Sequence, residues 1–130
     1  METVRSFIAV GTGAAIGAWM RWGLSAWLNP GRSPLPLGTL AANLVGGYLV
    51  GLVLGWLGQR PDLDPAWRLF LVTGLLGGLT TFSTFSAEVV QQLLRQQYAT
   101  AVLGVVLHLF GSLLLTVLGL YTWRVLRLGA

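Results

Sequence analysis

Long hydrophobic stretches recur four times along this 130-residue chain, separated only by short polar turns. That pattern points to one fold class, an all-α integral membrane protein with four transmembrane helices. Charge agrees with it. Only 9% of the residues are charged against 55% hydrophobic, too few charges to coat a small domain for water, so lipid is the natural solvent for most of the surface. The spans run approximately over residues 4–28, 37–57, 66–94 and 100–123, a single transmembrane domain over 1–130. The first apolar stretch has an acid, Glu2, in front of it and runs past the length of a signal-peptide core, so it reads as a retained span.

The turns carry their own signals. "NPGRSPLP", Asn29 to Pro36, ends one helix and forbids another until its last proline, and "GQRPDLDP", Gly58 to Pro65, places a proline in the first turn of the third helix. Tryptophan and tyrosine gather near segment ends (Trp19, Trp22, Trp27, Trp56, Trp67, Tyr98, Tyr121, Trp123) as an interfacial belt. Four spans put both termini on one side. That face holds Arg5, Arg60, Arg68, Arg124 and Arg127, the other Arg32 and Arg95, with Arg21 near the end of the first span. Five against three is a weak positive-inside bias, so the chain can insert both ways. The net charge of +4 does not signal nucleic acid, because the basic residues are all arginines scattered at segment ends. With no cysteine, disulfides, thiolate metal sites and cysteine nucleophiles are excluded.

The third segment is the unusual one. As a straight helix it would extend roughly 43 Å against a hydrocarbon core of about 30 Å. A tilt or a break can absorb the excess, and Gly77-Gly78 marks a place for a break, with Thr80 part of the unwound backbone. The stretch that follows, "GGLTTFSTFSAE", packs glycines, five hydroxyls, two phenylalanines and a carboxylate into one apolar segment. On a helix Phe82 and Phe85 share a stripe, Thr81, Thr84 and Glu88 lie along a neighbouring one, and Ser83 and Ser86 pair on another face. Phenyl rings have positive edges that can lie against an anion, and hydroxyl dipoles can replace lost water. Unwound carbonyls at membrane depth belong in buried or cavity-lining backbone, where they can hold a cation. A kinked helix with hydroxyls bonded to their own carbonyls is the plainer alternative; the density of polar groups favours a permeation path.

Other residues are read beside it. Asn43 is an amide deep in an apolar segment, so it either hydrogen-bonds between helices or points a donor into an ion path. Gly47, Gly51 and Gly55 at successive i+4 positions predict close backbone packing, within the chain or against a copy of it. Arg21 and Glu88 sit near the mouths of any path, and His108 reads as a helix-interface hydrogen bonder. No paired carboxylate, metal-ligand spacing or phosphate loop appears, so an enzyme is not expected.

"GTLAANLVGGYLVG" in the second span, "TGLLGGLTTFSTFSAE" in the third and "GAWMRW" in the first closely resemble the motifs of the Fluc/CrcB fluoride-channel family, along essentially the whole chain. The resemblance implies an antiparallel, dual-topology homodimer in the bacterial inner membrane, with two pores that passively let fluoride out of the cytoplasm. By motif position, Phe82 and Phe85 would meet the ion with their ring edges and Asn43 would be the neighbouring polar donor. Ser83, Thr84 and Ser86 would form a hydroxyl track towards Glu88, with Thr39 close by and Arg21 near the vestibule. The carbonyls of Gly77 and Thr80 would bind a structural sodium ion (Na+) between the two chains. In the fourth span, Gly104 and His108 stand where a relative has an aromatic and a small hydroxyl residue, and Ser112 is the pore candidate that remains.

Two rivals stand beside this reading. A small dual-topology proton-coupled multidrug exporter needs a carboxylate facing a shared cavity, typically early in the chain, whereas the only acid within a span here is Glu88. A structural membrane subunit would need the glycine packing and nothing from Phe82 or Phe85.

Overall fold

The structure is a computed structural model, and it describes residues 1–29, 31 and 34–129; Arg32, counted above on the less arginine-rich face, lies outside the described residues. The described chain is helical and forms four helices. The first is Glu2–Leu28 and the second Leu37–Leu57. The third runs from Pro65 to Leu94 in two halves, and the fourth is Tyr98–Leu128. Asp64 caps the third helix, its side chain accepting from the Ala66 backbone N–H at 2.9 Å, with Pro65 in the first turn where its missing N–H is harmless. That bond, and then the ion pair with Arg5, hold the Asp64 carboxyl below its ordinary range. Between the third and fourth helices the backbone reverses at Gln96, whose φ of 60° is left-handed, while the Gln97 N–H closes on the Gln92 carbonyl oxygen at 2.8 Å.

The bundle is up-down-up-down. Arg5 meets Asp64 and Gly13 meets Gly74, so the first and third helices run parallel. Gly47 meets Ser112 and Gly55 meets Trp123, so the second and fourth do the same. Thr39 meets Glu88 and Asn43 meets Thr81, so the second and third are antiparallel. Both chain ends therefore emerge on one side, with Arg5, Arg60, Arg68, Arg124 and Arg127 among the residues there.

Three of these helices, the second, third and fourth, are long and apolar enough to cross a membrane. The first is long enough, at 27 residues, but glycine, alanine and hydroxyl residues dilute its hydropathy. It is bound instead by close packing. A Cβ on Gly78 would stand 2.5 Å from the Ala14 carbonyl oxygen, and one on Gly74 would stand 2.8 Å from that of Val10. Only glycine lets the two backbones come so near.

The glycine stripe of the second helix does the same against the fourth. A Cβ on Gly51 would lie 2.7 Å from the Leu120 backbone nitrogen and 3.0 Å from Gly119 Cα. Of the two uses left open for the stripe, packing within the chain is the one seen. Backbone cannot yield as a side-chain tip can. Gly51→Val is therefore expected to destabilise the monomer fold by about 3 kcal/mol, the upper end for overpacking. Loss of the monodisperse species in detergent, with Gly23→Ala as the tolerated control because nothing lies within 4 Å of a Cβ there, is the check.

The third helix opens where two backbone units leave the helical region. Thr80 has ψ 155° and Thr81 φ −152°, ψ 118°, both extended. This corrects one detail of the sequence reading. Gly77 and Gly78 are themselves helical, and the unwinding begins at Thr80. The glycines admit the first helix; the opening has another cause.

Candidate functional site

The opening in the third helix is made by an amide from the second. The Thr81 backbone N–H donates to Asn43 Oδ1 at 2.7 Å, and Asn43 Nδ2 donates to the Thr81 carbonyl oxygen at 3.0 Å. In an unbroken α-helix that N–H would bond the carbonyl four residues back, at Gly77. Asn43 takes it away. One turn later the Thr84 N–H, which would have served the Thr80 carbonyl, is taken by the Thr81 hydroxyl at 3.2 Å as a helix N-cap. Among the described residues, no donor is directed at the carbonyl oxygen of Gly77 or of Thr80. The neighbouring Gly78 carbonyl oxygen accepts from Arg21 Nε at 3.1 Å. Arg21 thus sits against the opening, tied to its backbone.

Beside the opening lies a cavity of about 290 Å³ lined by Asn43, Thr80, Thr81, Phe82, Phe85, His108 and Ser112, with apolar residues of the fourth helix. Phe82 and Phe85 meet edge to face, centroids 5.5 Å apart and planes at 75°. Phe85 is buried and stacked on the His108 ring at 4.4 Å, while Phe82 is 76% exposed in the single chain. Since the imidazole covers one face of Phe85 and Phe82 takes another approach, the ring's remaining edge is what it can offer a ligand.

Asn43 lines this cavity, yet its donors are committed within the protein. Its second amide hydrogen faces His108 Nδ1 at 2.9 Å. Of the two roles the sequence left open for Asn43, interhelical hydrogen bonding is the one the geometry displays, and with it the amide shapes the third helix. The hydroxyls divide into two groups. Thr81 joins Ser83 at 3.3 Å and Thr84 at 3.1 Å, all near the opening. Farther along, the Thr39 hydroxyl donates to Glu88 at 2.5 Å. Ser86 lies exposed between the two groups, so no continuous chain of hydroxyl bonds links them. Ser112 is one turn beyond His108 on the same face of the fourth helix. Sequence reasoning singled out His108 but not its stacking on Phe85, which depends on the register of two helices.

Among the described residues no group of three acidic, histidine or cysteine side chains gathers to hold a metal. Any cation at this site would have to be held by backbone oxygens, and the two unbonded carbonyls are of that kind. They suit a hard, weakly charged ion.

The sequence has counterparts among known proteins. Residues 8–120 match the family described as "CrcB-like protein, Camphor Resistance (CrcB)". A protein of Thiobacillus denitrificans called "Fluoride-specific ion channel FluC" is 57% identical over 122 residues, 94% of this chain and 98% of its own length. Proteins with the same name from Cupriavidus necator and Ralstonia pickettii are 58% identical over 120 residues and 57% over 118, covering 92% and 91% of this chain and 95% and 94% of theirs. With a match that spans all four helices and the opening in the third, this chain belongs to the CrcB family.

Proposed function

We propose that this protein is a fluoride-selective channel of the bacterial inner membrane that lets cytoplasmic fluoride leave passively. The observation that carries the reading is the break at Thr80–Thr81, which sets two phenylalanine edges and a set of neutral polar groups around one cavity in an otherwise apolar bundle. Relatives more than half identical bear the name of that activity. The protein is not an enzyme; it changes the surroundings of an ion and none of its bonds.

The physical difficulty is dehydration. Fluoride is small and holds water strongly, so a lining must return many weak dipoles for the shell it removes, and must be narrow enough to refuse larger halides. A full positive charge would trap the ion. Phenyl edges and O–H dipoles attract without trapping, and Phe82, Phe85 and Ser112 supply them along the cavity. Ser83, Thr84 and Ser86 continue the polar surface, Thr39 and Glu88 form its far end, and Arg21 marks the approach to the opening.

The functional unit in this reading is a homodimer of oppositely inserted copies with two pores. Two features support it. Phe82 is largely exposed and Gly77 lies at the surface of the single chain, so the cavity wall and the carbonyl pair are each incomplete without a second copy. The near-balanced arginines allow both insertions. Gly77 and Thr80 would then hold sodium with four oxygens from two chains, and the ion would supply positive charge that pins the openings together.

Purified protein in liposomes loaded with potassium fluoride should release fluoride when valinomycin lets potassium follow, and should hold chloride back. Efflux should fall when sodium is replaced by a bulky organic cation. Equal release of both halides would defeat the reading, and efflux that needed a proton gradient would favour the exporter instead.

A further inference from the structure

His108 is the chain's single histidine and is 5% exposed, stacked on Phe85 in the wall of the cavity. Its hydrogen bonding fixes which ring nitrogen carries the proton. The orientation of the Asn43 amide is set by Thr81, because the backbone N–H needs Oδ1 and the backbone carbonyl needs Nδ2. The amide nitrogen therefore also faces His108 Nδ1, at 2.9 Å. An amide nitrogen only donates, so Nδ1 must accept, and the proton of the neutral imidazole resides on Nε2.

That Nε2–H has no acceptor among the described residues. Nor is it sealed away, since Gln92 Oε1 is the only enclosed side-chain polar atom without a partner among them. An N–H that opens on a mostly apolar cavity gains from an acceptor supplied from outside the chain. Of the polar groups nearby, both Asn43 hydrogens are used, and the Thr81 hydroxyl is bonded to Ser83 and Thr84.

We infer that the Nε2–H of His108 is the side-chain N–H donor that meets the permeating anion, and that Asn43 is the positioning residue that aims it. The inference rests on the channel reading above and names a ligand-contacting group within it. The ligand class is a small, hard, monovalent anion. An N–H dipole beside the free edge of Phe85 gives such an ion a directed hydrogen bond without a formal charge. Ser112, one turn further along the same helix face, offers an O–H as the next partner.

Two variants and one spectrum test it. His108→Phe keeps a flat ring against Phe85 and removes both nitrogens; His108→Gln restores an amide N–H near the Nε2 position. Fluoride efflux from proteoliposomes is expected to fall about tenfold or more in His108→Phe and to recover at least threefold in His108→Gln, at matched dimer content. With one histidine, ¹⁵N-labelled protein gives a single pair of ring signals. The protonated one should be Nε2, and it alone should shift when fluoride is added and not chloride. Wild-type protein that conducts while His108→Phe conducts equally well would overturn the inference and leave the channel reading standing. So would a proton on Nδ1, or equal losses in both variants with lowered thermal stability, which would make the ring a packing element. Wild-type protein that releases no fluoride would sink the channel reading itself.

Discussion

Phe85→Ile is expected to reduce fluoride efflux by about a hundredfold or more while the protein still purifies in the same assembled form as wild type. A hundredfold corresponds to about 2.7 kcal/mol in a barrier. That is a plausible size for a desolvated ion against an aromatic quadrupole, by analogy with the roughly 2 kcal/mol of a buried cation over a ring face. Isoleucine fills much of the same space and remains apolar, but it has no polarised edge. The fold loses the stack on His108 and the contact with Phe82, worth about 0.5–1.5 kcal/mol each beyond burial. Thermal unfolding should therefore shift modestly while flux collapses. Phe82→Ile should behave alike with less effect on stability, because that ring is exposed in the single chain. Flux within threefold of wild type in both variants would mean the rings are there for packing.

Asn43→Leu should be worse, and for a different reason. The side chain nearly keeps its shape, but the Thr81 N–H, the Thr81 carbonyl and His108 Nδ1 each lose a partner. A buried orphaned group costs about 1–3 kcal/mol. The cheapest escape is for the Thr81 N–H to return to the Gly77 carbonyl and close the helix. Closing it would swing Phe82 and Phe85 out of register and remove one of the two free carbonyls. Efflux is expected to vanish below detection, and stability to fall by about 2–5 kcal/mol. Hydrogen exchange separates the two effects: the Thr81 amide, if rebonded within a continuous helix, should be protected along with its neighbours. Asn43→Leu protein with normal flux would remove the clamp from the account.

The sequence showed much of this through local signals. Pro36 and Gly58 bracket the second helix, and its small residues at 47, 51 and 55 announced a close packing partner that proves to be the fourth helix. The break in the third helix is visible as polar residues in an apolar segment, and Thr80 does belong to it, but the glycines read as part of it are helical. Glycine suggested unwinding by its conformational freedom, whereas Gly74 and Gly78 are there for closeness to the first helix. What opens the chain at Thr80 is a competitor for one hydrogen bond, Asn43, 38 residues away, and no local pattern in the third segment encodes it. The π-helical turns at Leu69–Leu76 and Leu107–Gly111 were likewise illegible, since they arise from helix packing and carry no composition of their own. The second of them contains His108. Its placement against Phe85 depends on the register between the third and fourth helices, which a sequence does not display.

The central claim is that an opened third helix presents ring edges and neutral dipoles to fluoride. The most direct measurement is a structure of the protein in lipid nanodiscs, determined with sodium fluoride present. The account predicts extended backbone at Thr80–Thr81, with isolated density along the free edges of Phe82 and Phe85 and near His108 Nε2. A third helix closed through those threonines, with both rings packed against acyl chains, would contradict it.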